Sequence, residues 1–145
     1  MLKCELTPKE QVFRYAYEGR VIFIAMDRLI RSLAKKSPII EVDVMQEIAL
    51  RLIKNRSVDD LYVHKYIKDF ENIKSGKHVP MPPGVVIWFK DGTWELADGN
   101  NRYVAAFMAG VKKFRVWEAK RQQWAPFIIH DMQEDTPHGD PIILA

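Results

Sequence analysis

Little in this sequence is extreme, and its absences exclude a good deal. Cys4 is the only cysteine among 145 residues. No disulfide can close within the chain, and a reducing compartment suits it. Apolar runs such as Val21 to Met26 fall far short of the roughly 20 residues that span a bilayer. No signal peptide is visible at the N-terminus, so the expectation is a cytoplasmic protein without a membrane partner. His64, His78, His130 and His138 are scattered, with no spacing that forms a zinc site. A Walker loop, a GxSxG elbow and a dinucleotide fingerprint are all missing. Neither sign of charge dominates: 22 Lys and Arg stand against 19 Asp and Glu, a net charge of +3. That permits an anionic partner without requiring one. No internal repeat and no low-complexity segment is present.

What remains is an ordinary globular mixture, 48% hydrophobic and 28% charged, which suits a single domain that buries its core without staples. Thr7, Pro8 and Glu10 spell a helix start with a capping box. Val12, Tyr15 and Ala16 then share a face up to a stop at Gly19. Ile22, Met26, Leu29, Ile30 and Leu33 continue at helical spacing, although the first half of that stretch reads equally as a buried strand. Pro38 blocks helix continuation, so SPIIEVDV is predicted as a strand. Asp43 is placed to cap a helix through MQEIALRLIK. Ser57 and Asp60 form another capping box, for a helix that puts Leu61, His64, Ile67 and Phe70 or Glu71 on one face and ends near Gly76. HVPMPPG is an extended connector, because its three prolines fix φ.

The clearest local signal is Asp91-Gly92, a favoured two-residue hairpin turn between two β-rich runs. Phe89 would then face Trp94, Ile87 would face Leu96, and Val85 would face Asp98. Val85, Ile87, Phe89, Trp94 and Leu96 would form a core face. A helix is predicted from about Asn101 to Ala109, closed by Gly110, and KKFRVWEA is a further strand. QQWAPFIIHDM reads as a short helix interrupted by Pro126. QEDTPHGDPIILA reads as a tail docking through Ile142 to Leu144.

The chemistry concentrates where that second hairpin strand meets the helix, at Asp98-Gly99-Asn100-Asn101-Arg102. A helix start presents unpaired N–H groups and the positive end of the backbone dipole. Gly99 permits a sharp turn and lets a ligand approach without a Cβ in the way. Side chains in the first turn lean toward the N-terminus, so Arg102 can reach an oxyanion seated on the N–H groups of Asn100 to Arg102. Asn100 and Asn101 can cap the helix or donate to phosphate oxygens. Asp98 can hold a metal ion, orient Arg102, or accept a proton. The bland alternative is a capped helix with an exposed arginine.

The order of elements around this motif resembles the ParB/sulfiredoxin superfamily. Its members show a helix, a Gly, a Pro-containing segment leading to a strand, a hairpin, then DGxxR opening an Ala-rich helix, a Gly and a final strand. Here Ala105 and Ala106 lie in that helix, Gly110 follows it, and Phe114 to Trp117 is the last strand. The likeness covers residues 38 to 119. It implies an α+β fold with a small mixed sheet, an added N-terminal helical segment over 1–37, and a C-terminal helix and tail over 120–145. Sulfiredoxins carry an essential cysteine where Asn100 stands, so sulfinic acid reduction is not expected. ParB partition proteins bind CTP at this loop but add a helix-turn-helix domain, for which the tail after residue 120 leaves no room. The nearest loop type is the Asp-Gly-His-His-Arg form of free serine kinases of this fold. Asparagines replace both histidines here; they can donate to phosphate but cannot shuttle protons at neutral pH.

The resemblance therefore implies a nucleotide site at Gly99, Asn100, Asn101 and Arg102, taking ATP or CTP with Mg²⁺ and using Asp98 as the metal ligand. Any NTPase or phosphotransferase chemistry would fall to Asp98, Arg102 and a carboxylate near the first strand, Glu41 or Asp43. The bland assignment for those two is a solvated strand residue and a helix cap. Two rivals stand beside this. One is a DNA-binding or nuclease module of a phage or plasmid element, using Lys112, Lys113 and Arg115 on phosphates. The other is a catalytically inert protein-interaction protein on the same fold, favoured by the asparagine replacements and by any exposed apolar patch on the N-terminal helices.

Overall fold

The segment VFRYAY places β-branched and aromatic residues in quick succession, and it forms a strand rather than the expected helix. In a computed structural model that describes residues 12–17, 19–89 and 92–133, the chain begins with β1 (Val12–Tyr17), β2 (Arg20–Ala25), α1 (Met26–Lys36), β3 (Ile39–Asp43), α2 (Gln46–Lys54) and α3 (Asp60–Lys74). It continues with β4 (Gly84–Trp88), β5 (Trp94–Asp98), α4 (Asn100–Met108), β6 (Lys113–Ala119), α5 (Arg121–Trp124), a 3-10 turn (Ala125–Phe127) and β7 (Ile128–Gln133). The result is a mixed α+β protein with two small sheets, ordered β1-β2-β7 and β3-β6-β4-β5. Contacts divide it into two units. One is drawn from Met1–Ser37, Ile87–Thr93 and Ala119–Ala145, the other from Pro38–Val86 and Trp94–Glu118. None of the described helices is long and apolar enough to cross a membrane.

In the first unit β1 and β2 pair antiparallel with Tyr17 opposite Arg20. Gly19 is not a helix stop; it takes φ +74°, the left-handed conformation that a two-residue hairpin connection requires. Ladder bonds along both strands outweigh the weak helical preference of Val, Phe and Tyr. The capping pattern at Thr7 to Glu10 lies outside the described residues. The stretch after Gly19 divides as one of its two readings allowed: Arg20–Ala25 is a strand and Met26–Lys36 a helix. Met26, Leu29 and Leu33 bury one face of α1. Ile128 to Met132, read as part of a short helix, and Gln133, read as the start of the tail, instead form a strand against the other edge of β2, with a register shift at Phe23/Ile24. Pro126 sits in the 3-10 turn that ends α5. Arg20 donates to Asp131, a carboxylate only 6% exposed; that pairing makes its burial tolerable.

The second unit holds β3, β5, the first three residues of β4 and all of β6 but Ala119. β3 and β6 run antiparallel, with Glu41 opposite Arg115 and Asp43 opposite Lys113, while Ile40 and Val42 lie opposite Val116 and Phe114. Phe114 and Val116 join Phe70, Val86, Leu96, Tyr103 and Val104 in the core. Gly84 to Ile87 are all buried, so β4 carries no polar face and reads as a continuous apolar run.

Three local assignments change. Asp43 does not cap α2: Met45 holds the cap position without a side-chain bond, and the Asp43 carboxylate pairs with Lys113. The Tyr103 hydroxyl does the joining instead, accepting from Met45 N–H at 2.7 Å and donating to the Asp43 carbonyl at 2.9 Å. Asp59, not Ser57, caps α3, accepting from Leu61 N–H. That helix buries Val63 and Phe70, and Leu61 stands 81% exposed, so the face turned to the core runs through Val63 rather than Leu61. In the hairpin, Gly92 N–H donates to the Phe89 carbonyl and Phe89 N–H to the Thr93 carbonyl. Phe89 thus bonds to Thr93 rather than facing Trp94. Gly92 takes φ +83°, which fits the longer connection with a left-handed glycine. Asp91 lies outside the described residues. Val85, Ile87, Phe89 and Leu96 are buried as expected, and Trp94 is half-buried.

Candidate functional site

β5 ends at Asp98, and α4 begins two residues later because Gly99, at φ 95° and ψ 23°, reverses the chain. Few residues other than glycine accept that conformation. Space forbids a side chain as well: a Cβ on Gly99 would lie 3.1 Å from the Gly84 Cα and 3.2 Å from an Arg102 guanidinium nitrogen. On Gly84, a Cβ would lie 2.7 Å from the Asp98 carbonyl oxygen and 2.8 Å from the Phe114 ring. Two glycines on neighbouring segments thus let the end of β5, the start of β4 and Phe114 meet at van der Waals distance. The first bond of the helical ladder runs from Tyr103 N–H to the Gly99 carbonyl at 2.8 Å. The N–H groups of Asn100, Asn101 and Arg102 precede that ladder.

Arg102 is not the exposed arginine of the bland reading. Its side chain is 12% exposed and folds inward, donating to the Pro83 carbonyl at 3.2 Å and to Asp98 at 3.4 Å. The guanidinium lies 5.9 Å from the centre of the Tyr66 ring, within cation–π range. Asn101 accepts from Asp59 N–H at 2.7 Å, and Asn100 donates to the Ser57 carbonyl at 3.5 Å. The corner thus gathers the α2–α3 loop, the proline connector and the helix start around one largely covered cation. Several of these contacts are near the long limit of hydrogen bonding. Two buried side-chain atoms, Asn100 Oδ1 and Arg102 Nε, have no partner at all among the described residues. Both belong to this corner. Buried polar atoms are nearly always paired, so an orphaned acceptor and an orphaned donor a few residues apart call for a partner from outside the chain.

The other predicted residues fall elsewhere. Glu41, Lys113 and Arg115 come together on adjacent strands and line a cavity of about 490 Å³ with the end of α3 and the connector to β4. None of Asp98 to Arg102 lines it. Lys113 pairs with Asp43, whose carboxylate holds the exposed ammonium above its ordinary range. Lys112 contributes its carbonyl, accepting from Val44 N–H, and its side chain is exposed. Among the described residues no group of three or more His, Cys, Asp or Glu could hold a metal ion by itself, so Asp98 is a lone carboxylate ligand candidate. Exposed large apolar side chains lie chiefly on α2 and α3, at Leu50, Ile53, Leu61 and Tyr62, not on α1.

Sequence reasoning passed over Tyr66, Pro83, Gly84 and Tyr103. Gly84, directly after two prolines and before a strand, was the one legible signal, since a glycine entering a β-run marks close backbone approach. Tyr103 is fully buried, and its hydroxyl is held protonated above its ordinary range chiefly by burial. No family model, no curated protein and no solved structure matches the chain.

Proposed function

We propose that this chain binds a nucleoside triphosphate at the Asp98–Arg102 corner, with a phosphate at the start of α4. The observation that carries this is the unpartnered buried donor Arg102 Nε, beside N–H groups that precede the helical ladder; the unpartnered Asn100 Oδ1, an acceptor, would take a hydroxyl or a Mg²⁺-bound water of the same ligand rather than a phosphate oxygen. Phosphate oxygens accept from backbone N–H groups and from a guanidinium, and the helix dipole adds to the attraction. The long contacts of Arg102 and Asn100 to protein oxygens support the same reading, because ligand-binding hydrogen bonds tighten only once the ligand arrives. The resemblance of residues 38 to 119 to the ParB/sulfiredoxin superfamily, read from the sequence, points the same way.

Mg²⁺ fits this donor set only as a companion of the nucleotide. It commonly binds through one or two carboxylates plus substrate phosphates, and Asp98 offers one. There it would neutralise phosphate charge. The protein's own contribution is positioning: Asp98 orients the guanidinium, and Tyr66 and Pro83 fix its plane. Glu41 lines the separate cavity rather than the corner, and the function proposed for the corner is binding.

Calorimetric titration with ATP, CTP and GTP, each with Mg²⁺, tests it. Binding of at least one nucleotide is expected, with strong loss in Asn100→Asp, which places a repelling carboxylate at the seat. Arg102→Lys keeps the charge but loses the planar fork and should weaken binding about tenfold or more. If none of the three nucleotides binds the folded wild-type chain, the proposal is wrong.

A further inference from the structure

The cavity in the second unit has features that the corner lacks. Its volume of about 490 Å³ falls within the roughly 300–1,000 Å³ range of small-molecule pockets. Phe70, Ile73, Met81, Val111 and Phe114 supply apolar lining, with Phe70 and Phe114 buried. Around them are Lys74, Lys77, Lys113 and Arg115 against one carboxylate, Glu41. Lys74 donates to the Ala109 carbonyl, and Lys113 is paired with Asp43. The exposed side chains of Lys77, His78 and Arg115 make no hydrogen bond or ion pair among the described residues.

Apolar lining alone would suit a neutral guest, and exposed lysines alone would be an ordinary solvated surface. Their combination selects for more. A concave apolar wall lowers the local dielectric and focuses the field of uncommitted cations at its mouth. An inorganic anion would leave the apolar wall wet, and a neutral hydrocarbon would leave the cations unused. We infer that this cavity is a binding site for an organic anion with an apolar body. The body covers Phe70 and Phe114, and the charged group meets Lys77 and Arg115. The site is separate from the corner, although Phe114 touches both: its ring would lie 3.4 Å from a Cβ on Gly99.

The test is a fluorescence titration of the full chain with 8-anilinonaphthalene-1-sulfonate, followed by displacement with decanoate and, separately, with 1-naphthyl phosphate. The expected result is saturable binding at one site that at least one competitor reverses. Release by decanoate identifies an aliphatic carboxylate as the better mimic, and release by the naphthyl ester an aromatic phosphate. Lys77→Glu or Arg115→Ala should weaken the dye about tenfold. Lys36→Glu, an exposed charge change on α1, should leave it unchanged. Non-saturable binding, failure of both competitors, or an affinity that neither cavity variant alters would overturn the inference. So would loss of the dye in Asn100→Asp with retention in both cavity variants, which would place the ligand at the corner. Nucleotide titration of Lys77→Glu keeps the two assignments apart: it should match the wild type whether or not the cavity takes the dye.

Discussion

The corner and the cavity hold the same kind of charge under opposite conditions. Arg102 is 12% exposed, and its partners are a carbonyl, a carboxylate and an aromatic ring of its own chain. Lys77 and Arg115 are exposed and make no ion pair among the described residues. A cation so largely withdrawn from water needs partners from the chain, so Arg102 serves the fold whatever else it does. An exposed cation costs the fold almost nothing and can be removed without structural consequence. Stability and binding should therefore separate cleanly between the two regions.

The largest effect expected is at Gly84→Ala. Its Cβ would meet the Asp98 carbonyl at 2.7 Å and the Phe114 ring at 2.8 Å, and overpacking of this sort costs about 1–3 kcal/mol. Chemical denaturation reads it directly. An alanine there with unchanged stability would mean that the corner is looser than its contacts imply.

Tyr103→Phe comes next. It strips the partner from Met45 N–H and from the Asp43 carbonyl, for a loss of about 1–3 kcal/mol by the same measurement. Its pH dependence has a definite sign. Tyr103 is raised above its ordinary 10.0 by burial, and Lys113 above its ordinary 10.5 by its bond to Asp43. A group raised in the folded state contributes stability that is complete below its unfolded pKa and is lost as pH climbs through the folded value. The wild type should therefore lose stability as pH rises above about 10, and Tyr103→Phe should lose less over that window. A parallel decline in both proteins would exclude Tyr103 as a source.

Lys77→Glu sits at the small end. Its effect on thermal unfolding should stay within about 0.5 kcal/mol, as for surface changes generally. A large destabilisation would erase the contrast between a cation that serves the fold and one that does not.

Legibility in the sequence followed the range of the interactions. Strands β3 and β6, helix α4 and the corner at Asp98 to Arg102 were readable because each rests on a local cue: a proline that ends a helix, a Gly-rich turn, a short alternation. The segment 12–17 was misread because Thr7, Pro8 and Glu10 form a local helix signal, while the bonds that make it a strand come from β2. Ile128 to Gln133 failed for the same reason, since its partner β2 lies over a hundred residues earlier. Asp43 looked like a cap from its spacing, but the group that organises that junction is Tyr103.

By itself the sequence determined the turn at Gly99, the polar character of the corner and the alternation that turns Ile40 and Val42 away from Glu41 and Asp43. Those follow from φ preferences and from the two-residue period of a strand. Tertiary structure alone decided that Arg102 is folded inward rather than exposed, that Gly84 lies against Gly99, and that Glu41 belongs with Lys77 and Arg115 rather than with Asp98. Each of these depends on segments distant in sequence packing together, and no local preference encodes which distant segment arrives.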